Sequence, residues 1–512
     1  MKSSIENMKK KTENRAAGVL MHVSSLPGKY GIGTLGKSTY EFIDILSERK
    51  IGYWQVLPLV QTSFGDSPYQ SEYSGSGNPY FIDPEILHEK GLLTEREIND
   101  FASSATDKVD YGWLFSEKYK LLRKAFSRFD VTDKNFVKFV KSKKFKSYAL
   151  YSAIKYKNGG ASFDCWQIEL KFADKKAIAD FKENNKDEYL FRLFLQFEFF
   201  NEWNALRKYA HKHGVKIIGD IPLYVAYDSA DVWSNPELFK LDKNLKPKKV
   251  AGVPPDYFSA TGQLWGNPVY DWAASKKTGY AWWIDRFRRA FELYDVLRVD
   301  HFRGFDRYYE IPAGEATAIN GKWVNGPKNA LFKAVKNALG DIAVIAEDLG
   351  TLDEGVYKLL CDTKFPGMKV IEFAFDGNPN NPYLPENINE NSVCYTGTHD
   401  NDTLVGLVES LDEHARQRLY SVLNSEIAAN CGEEATEVID VQSAARAMIK
   451  LALVSKSRLA VVPVQDICYL DGGARMNTPS SASGNWAFRL DKFDLQKFDE
   501  YAAQCKIFDR LK

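Results

Sequence analysis

Three carboxylates each follow a short apolar, β-branched run: Asp300 in VLRVDHFRGF, Glu347 in IAVIAEDLG and Asp400 in SVCYTGTHDND. Paired carboxylates flanking a glycosidic bond are the usual machinery of glycoside chemistry. Arg298 stands two positions before Asp300. Strand side chains alternate, so the two share a face. A guanidinium beside a carboxylate favours its charged form, which a nucleophile at an anomeric carbon requires. An isolated Arg-x-Asp reads more simply as a buried pair tying strands together. The two further strand-end acids favour the catalytic reading. Glu347 then becomes the general acid, which needs burial or a like-charged neighbour to keep its proton at neutral pH. Asp348 points to the opposite face and reads as a loop or cap residue. A third carboxylate, Asp400, can bind two sugar hydroxyls and favour ring distortion. The same Thr398–Asp402 stretch also has the composition of a turn. His301 and His399, as neutral donors, suit sugar hydroxyls.

These acids need a frame that aims them at one point. Eight apolar runs read as strands, near residues 18–26, 53–59, 216–223, 296–302, 343–349, 369–375, 392–398 and 459–466. Helical patterns fall between most of them. In STYEFIDILSER, Phe42, Ile45 and Leu46 form one face, with Ser38 and Glu41 at capping-box spacing. AWWIDRFRRAFELY (281–294) is a second amphipathic helix. Alternating strands and helices give the α/β class, here a (β/α)8 TIM barrel, with active sites at the C-terminal ends of the strands. Asp300 then closes the fourth strand, Glu347 the fifth and Asp400 the seventh. The interval between the second and third strands far exceeds one crossover. It predicts a mostly helical subdomain at about 85–210, with smaller insertions in later loops. All of 1–512 is read as one catalytic barrel without an all-β C-terminal domain.

The bulk properties narrow the partners. The 512 residues carry 68 basic and 68 acidic side chains. That balance argues against nucleic acid or a membrane surface as partner. No apolar run reaches the ~18 residues of a membrane span, and the charged start lacks a signal-peptide core. The six scattered cysteines read as reduced core thiols, with Cys394 and Cys468 inside strands. These features point to a cytoplasmic protein. No HExxH-type spacing occurs, and neither metal nor other cofactor is expected. Eleven tryptophans suit sugar stacking, though most would fill core. Gly31-Ile-Gly33-Thr-Leu-Gly36 has the GxGxxG pattern, but the following strand YWQVLPL ends without the acid that a dinucleotide site requires. The glycines are read as shaping a tight loop. Oligomeric state is left open.

At these residues the chain resembles the amylomaltase, or disproportionating-enzyme, family of 4-α-glucanotransferases within the α-amylase clan. The likeness runs from about residue 18 to 490, through SSLPGKYGIGTLG, YWQVLPL, DSPYQSEYSGSGNPYFID, GDIPLYVAYDSADVW, AGVPPDYFSATGQLWGNPVYDW, LRVDHFRGF, AEDLG, THDND, VPVQD and RMNTP. The resemblance implies that Asp300 is nucleophile, Glu347 acid/base and Asp400 transition-state stabiliser. It implies sugar contacts by Arg298, His301 and His399 around the cleavage point, with Tyr69 nearby. Further substrate contacts are implied for Asp220, Phe258, Gln263, Trp265, Asp376 and Asn477. Segment 252–267 matches a loop that arches over glucan, with Gly252 and Gly262 permitting movement. Its Tyr257, Phe258 and Trp265 either stack on an acceptor or merely pin the loop. Two departures stand out: Thr34 where the family often has Asp, and Ser480 where it usually has Gly. The implied substrates are α-1,4-glucans, maltodextrins and glucose. The rival readings are a retaining α-glucan hydrolase and a non-catalytic carbohydrate-binding barrel.

Overall fold

The computed structural model describes residues 15–103, 108–255, 259–350, 352–479, 481 and 483–511. Eight parallel strands close into a barrel. They are β1 (Ala16–Leu20), β2 (Tyr53–Gln55), β3 (Lys216–Ile221), β6 (Val296–Val299), β9 (Val344–Ala346), β10 (Gly367–Val370), β11 (Ser392–Tyr395) and β12 (Leu459–Pro463). Each lies beside its neighbours in chain order, and β12 closes on β1. All eight coincide with the predicted runs. The strands end earlier than the apolar runs do, and several runs continue into short helical turns, such as Val23–Ser25, Ile371–Phe373 and Val464–Ile467.

Side-chain alternation explains how the barrel carries both a core and a site. Ile218, Ile345, Val393, Tyr395, Leu459 and Val461 belong to one buried cluster, filling the bore. Ile217, Leu297, Val299, Ala346, Cys394 and Val462, one position away, belong to another, packed under the helices. Two residues further along two of the inward rows the character changes: Ile218 is followed by Asp220, and Ile345 by Glu347. Apolar side chains fill the bore, and the charged ones emerge where it opens.

Between β2 and β3 the chain runs through a series of helices ending in Lys186–Lys212. This long helix buries Phe191, Phe194, Phe199 and Trp203. Phe194 meets Phe126 and Phe129 with ring centroids 5.4 and 4.9 Å apart. Each such side chain contributes roughly 1.5–3 kcal/mol when fully buried. The helix also steadies the loop after β2. The Gln196 side chain accepts from Gly77 N (2.7 Å) and donates to Gly77 O (3.0 Å). Glu202 accepts from Asp83 N at 2.8 Å.

The insertion at about 85–210 is helical, as expected, and the later loops add a small sheet that the sequence reading did not specify. Strands β4 (Lys249–Val253), β5 (Gln263–Pro268), β7 (Arg307–Pro312) and β8 (Lys322–Asn325) form an antiparallel sheet of order β5-β4-β7-β8. Short, mixed-polarity strands such as KWVN lack the apolar run that betrays a barrel strand. The expected capping box also fails. The helix Lys37–Glu48 has Gly36 at its N-cap with no side-chain cap. A Cβ at Gly36 would come within 2.0 Å of the Asp83 carboxylate, so packing chose glycine over a capping side chain. Thr34 donates to the same carboxylate at 2.5 Å. A Cβ at Gly33 would strike Val23 O, in keeping with a tight loop. Of the six free cysteines, Cys394, Cys431 and Cys505 are buried, Cys165 and Cys361 are exposed, and Cys468 is half-buried. Cys468 caps the helical turn after β12 instead of lying within a strand.

Candidate active site

Register places the first group of charges. Asp220 on β3 is the direct neighbour of Arg298 on β6. Both point into the bore, 4% and 0% exposed at the Arg298 and Asp220 side chains respectively. Arg298 donates to Asp220 at 2.6 Å and pairs with Asp300 Oδ1 at 2.9 Å. Tyr69, brought over from the loop after β2, donates its hydroxyl to Asp220 at 2.8 Å. One guanidinium thus spans a buried acid and a partly exposed one. The Asp300 side chain is 29% exposed and reaches the open bowl.

Glu347 follows β9, the next strand round. Its backbone N–H donates to Val299 O at 3.0 Å, which fixes it beside the end of β6. Its carboxyl accepts from His301 N at 2.7 Å and Leu349 N at 2.8 Å. Burial pushes its pKa up to about 7, and the Asp300 charge adds to this, with Arg298 opposing. Both causes anticipated from sequence are therefore present. Asp348 lies in the loop after β9, the loop alternative of the sequence reading. It is buried, and accepts from Met368 N at 2.6 Å, so it ties β9 to β10 and caps no helix.

His301 adopts a left-handed backbone conformation, φ 51°. That turn aims its N–H at Glu347. Burial lowers its ring pKa to about 4, so the imidazole is neutral at pH 7. Trp265 of β5 meets the His301 ring edge-on, with centroids 4.9 Å apart, and donates to the Gln263 side chain at 3.0 Å. The small antiparallel sheet therefore delivers these two residues to the barrel rim. Gly252 and Gly262 sit at the base of the β4–β5 hairpin, where a Cβ would run into Gln263 O and Val253 O respectively. Close backbone approach requires glycine at 252, and at 262 it acts together with a left-handed φ of 68°. Tyr257 and Phe258 lie outside the described residues, as does Ser480.

Asp400 is held differently. It stands on the loop beyond β11, with its side chain 45% exposed. Its carboxylate accepts from Asn477 Nδ2 at 2.6 Å, and its carbonyl accepts from Arg475 at 2.7 Å. His399 stacks on Tyr69 with centroids 5.0 Å apart and an interplanar angle of 14°. That stack joins the Asp400 loop to the Asp220–Arg298–Asp300 chain. Trp486 lies 5.9 Å from both the Tyr69 and His399 rings. Sequence reasoning singled out neither Trp486 nor Arg475. Arg475 stands in the RMNTP motif, but nothing local marks it as a loop clamp. Asp376 is exposed, accepts from Asn378 N at 2.9 Å, and makes no contact with this cluster among the described residues.

Among the described residues no three His, Cys, Asp or Glu side chains are grouped as metal ligands. Among the same residues no helix is long and apolar enough to cross a membrane.

Two neighbouring acids, one clamped by arginine and one whose pKa is raised to about 7, offer the paired carboxylates that glycoside chemistry uses. Comparison with known proteins decides the family. A 4-alpha-glucanotransferase family description matches residues 21–495. The chain belongs to that family. A 4-alpha-glucanotransferase of Clostridium butyricum is 47% identical over 92% of this chain and 95% of its own length. One from Aquifex aeolicus is 44% identical over 94% of this chain and 97% of its own. Among solved structures, an amylomaltase from Streptococcus agalactiae in complex with acarbose superposes with a TM-score of 0.91 at 35% identity. That match covers 97% of this chain and all of the other. The chain is thus a (β/α)8-barrel enzyme of the 4-alpha-glucanotransferase family.

Proposed function

We propose that this enzyme moves a segment of an α-1,4-glucan to the 4-hydroxyl of glucose or a maltodextrin by retaining double displacement. The observation that carries the reading is the half-buried Glu347, its carboxyl pKa pushed up to about 7 by desolvation and by the Asp300 charge, beside an Asp300 paired with Arg298. Asp300 attacks the anomeric carbon as Glu347 protonates the departing glycosidic oxygen. The glycosidic C–O bond breaks, and a covalent glucosyl–Asp300 ester forms. The Glu347 carboxylate then takes the proton of an incoming 4-hydroxyl, whose oxygen displaces Asp300 and restores the α-linkage. Asp400, presented by Asn477, accepts hydrogen bonds from sugar hydroxyls as the ring flattens. His301, His399, Tyr69, Asp220, Gln263, Trp265 and Asn477 would line the substrate path, and Phe258 and Asp376 extend it. Aromatic contacts over the bowl would favour a sugar acceptor over water.

The domain reading is proposed with it: one catalytic barrel, with the helical insertion at about 85–210 supporting the Tyr69 loop. The absence of a long apolar helix among the described residues is compatible with a cytoplasmic setting. Incubation with maltotriose, following free glucose and total reducing ends, tests the activity. Transfer yields glucose and longer maltodextrins at constant reducing ends. A steady rise in reducing ends would mean hydrolysis instead, and no change in either would favour a binding barrel.

A further inference from the structure

Glu372 lies just past β10, beside the end of β11, and its N–H donates to Thr396 O at 3.2 Å. One of its carboxyl oxygens, Oε2, is buried with no hydrogen-bond partner. Its neighbour is the Asn401 side-chain amide, with Asp402, Asp466 and Arg475 also facing it. Glu372 and Asn401 pack together beneath Gly397. A Cβ there would lie 3.4 Å from Glu372 Oε2 and 3.3 Å from Asn401 Cβ.

Asn401 does two things at once. Its Oδ1 accepts from both Thr398 N and Thr398 Oγ1 at 2.9 Å. With Oδ1 so engaged, the amide nitrogen remains to donate, and Glu372 is its neighbour. Thr398 Oγ1 in turn accepts from Asp400 N at 3.2 Å. A chain of contacts thus runs from the barrel rim to the backbone of Asp400. On the far side Arg475 holds the Asp400 carbonyl and also the Asn477 carbonyl, the latter at 2.8 Å.

We propose that Glu372 is a positioning residue for Asp400, acting through the Asn401 side chain. The proposal rests on Asp400 being the transition-state stabiliser. A half-exposed loop acid has no strand to fix it, so its aim depends on such side-chain struts. Burial pushes the Glu372 carboxyl up to about 7, with the Asn401 contact opposing. Charged or protonated, the group offers an oxygen to which the neighbouring Asn401 amide can donate, and a glutamine carbonyl offers the same.

The test is steady-state kinetics on maltotriose with Glu372→Ala, Glu372→Gln, Asn401→Ala and the double variant Glu372→Ala/Asn401→Ala. Thermal melting is followed in parallel. Misplacing a catalytic group costs on the order of tenfold to a hundredfold in rate. The expected result is a kcat loss of about tenfold or more in each alanine variant, with KM within about twofold. Glu372→Gln should recover most of the rate, and the double variant should be no worse than the weaker single one. Multiplying losses, an impaired glutamine variant or an unchanged kcat in Glu372→Ala would overturn the proposal. If Glu372→Ala does not fold, Asn401→Ala decides it by the same kcat-against-KM criterion. Asp400→Asn serves as the reference. Full activity in that variant would remove the role of Asp400 itself, a failure distinct from that of Glu372.

Discussion

The acids at the ends of β6 and β9 and the acid on the loop beyond β11 are held by different physics. Asp300 and Glu347 take their positions from strand register. Asp220, Arg298 and the backbone around His301 complete a buried lattice, and removing any member exposes the others to uncompensated burial. Asp400 is half exposed and owes its place to side-chain contacts from Asn477, Arg475 and the Thr398 turn. The first arrangement makes function and stability inseparable. The second lets a group be tuned with little effect on the fold. Acids that must hold each other's charge state suit the rigid strands. A group that follows a sugar ring as it changes shape suits the loop.

The largest effect should come from Asp300→Asn. It removes the covalent nucleophile while keeping size and hydrogen bonding, so kcat on maltotriose should fall by roughly 10^4-fold or more. Binding of a maltodextrin by calorimetry should survive. Retained turnover would sink the assignment.

Arg298→Ala breaks the comparison at its strongest point. It leaves the fully buried Asp220 without its cationic partner, with only the Tyr69 hydroxyl donating to it, for a cost of about 3–5 kcal/mol in denaturant unfolding. A stability change below about 1 kcal/mol would mean that the strand-held cluster is no more integrated than the loop.

Glu347 gives a pH test of the same idea. Its folded-state pKa lies above the usual carboxylate value, so ionisation opposes folding. Its contribution is fully present below pH 4.5 and is lost as pH rises through about 7. Glu347→Gln should therefore melt higher than the parent at pH 8, and the gain should vanish near pH 4.5. The parent's transfer rate should decline over the window near pH 7, as the acid form disappears. A variant melting curve parallel to that of the parent at both pH values would contradict the assignment.

Asn477→Ala is the smaller, complementary perturbation. Losing one charge-assisted hydrogen bond of about 1.5–3 kcal/mol in the transition state lowers kcat by roughly tenfold to a hundredfold. Because Asp400 is half exposed, its midpoint of thermal unfolding should move by only a few degrees. A large loss of stability would erase the distinction between the two regions.

The sequence by itself determined the barrel and its three acids. Eight apolar runs at helix-crossover spacing admit few other architectures, and a carboxylate at the end of such a run must emerge at the rim. Alternation likewise placed Arg298 on the face of Asp300. Tertiary structure decided what local pattern cannot encode. It brought Tyr69 to Asp220 and Trp486 to His399 across long stretches of chain. It turned Asp348 into a tie between strands, and it built an antiparallel sheet from segments without a strong strand signature. It also raised the pKa of Glu347, since burial and a neighbouring charge are properties of the folded volume and not of the residue. Periodicity is local and survives in one dimension. Contacts between loops depend on closure of the whole barrel, and only the closed structure supplies them.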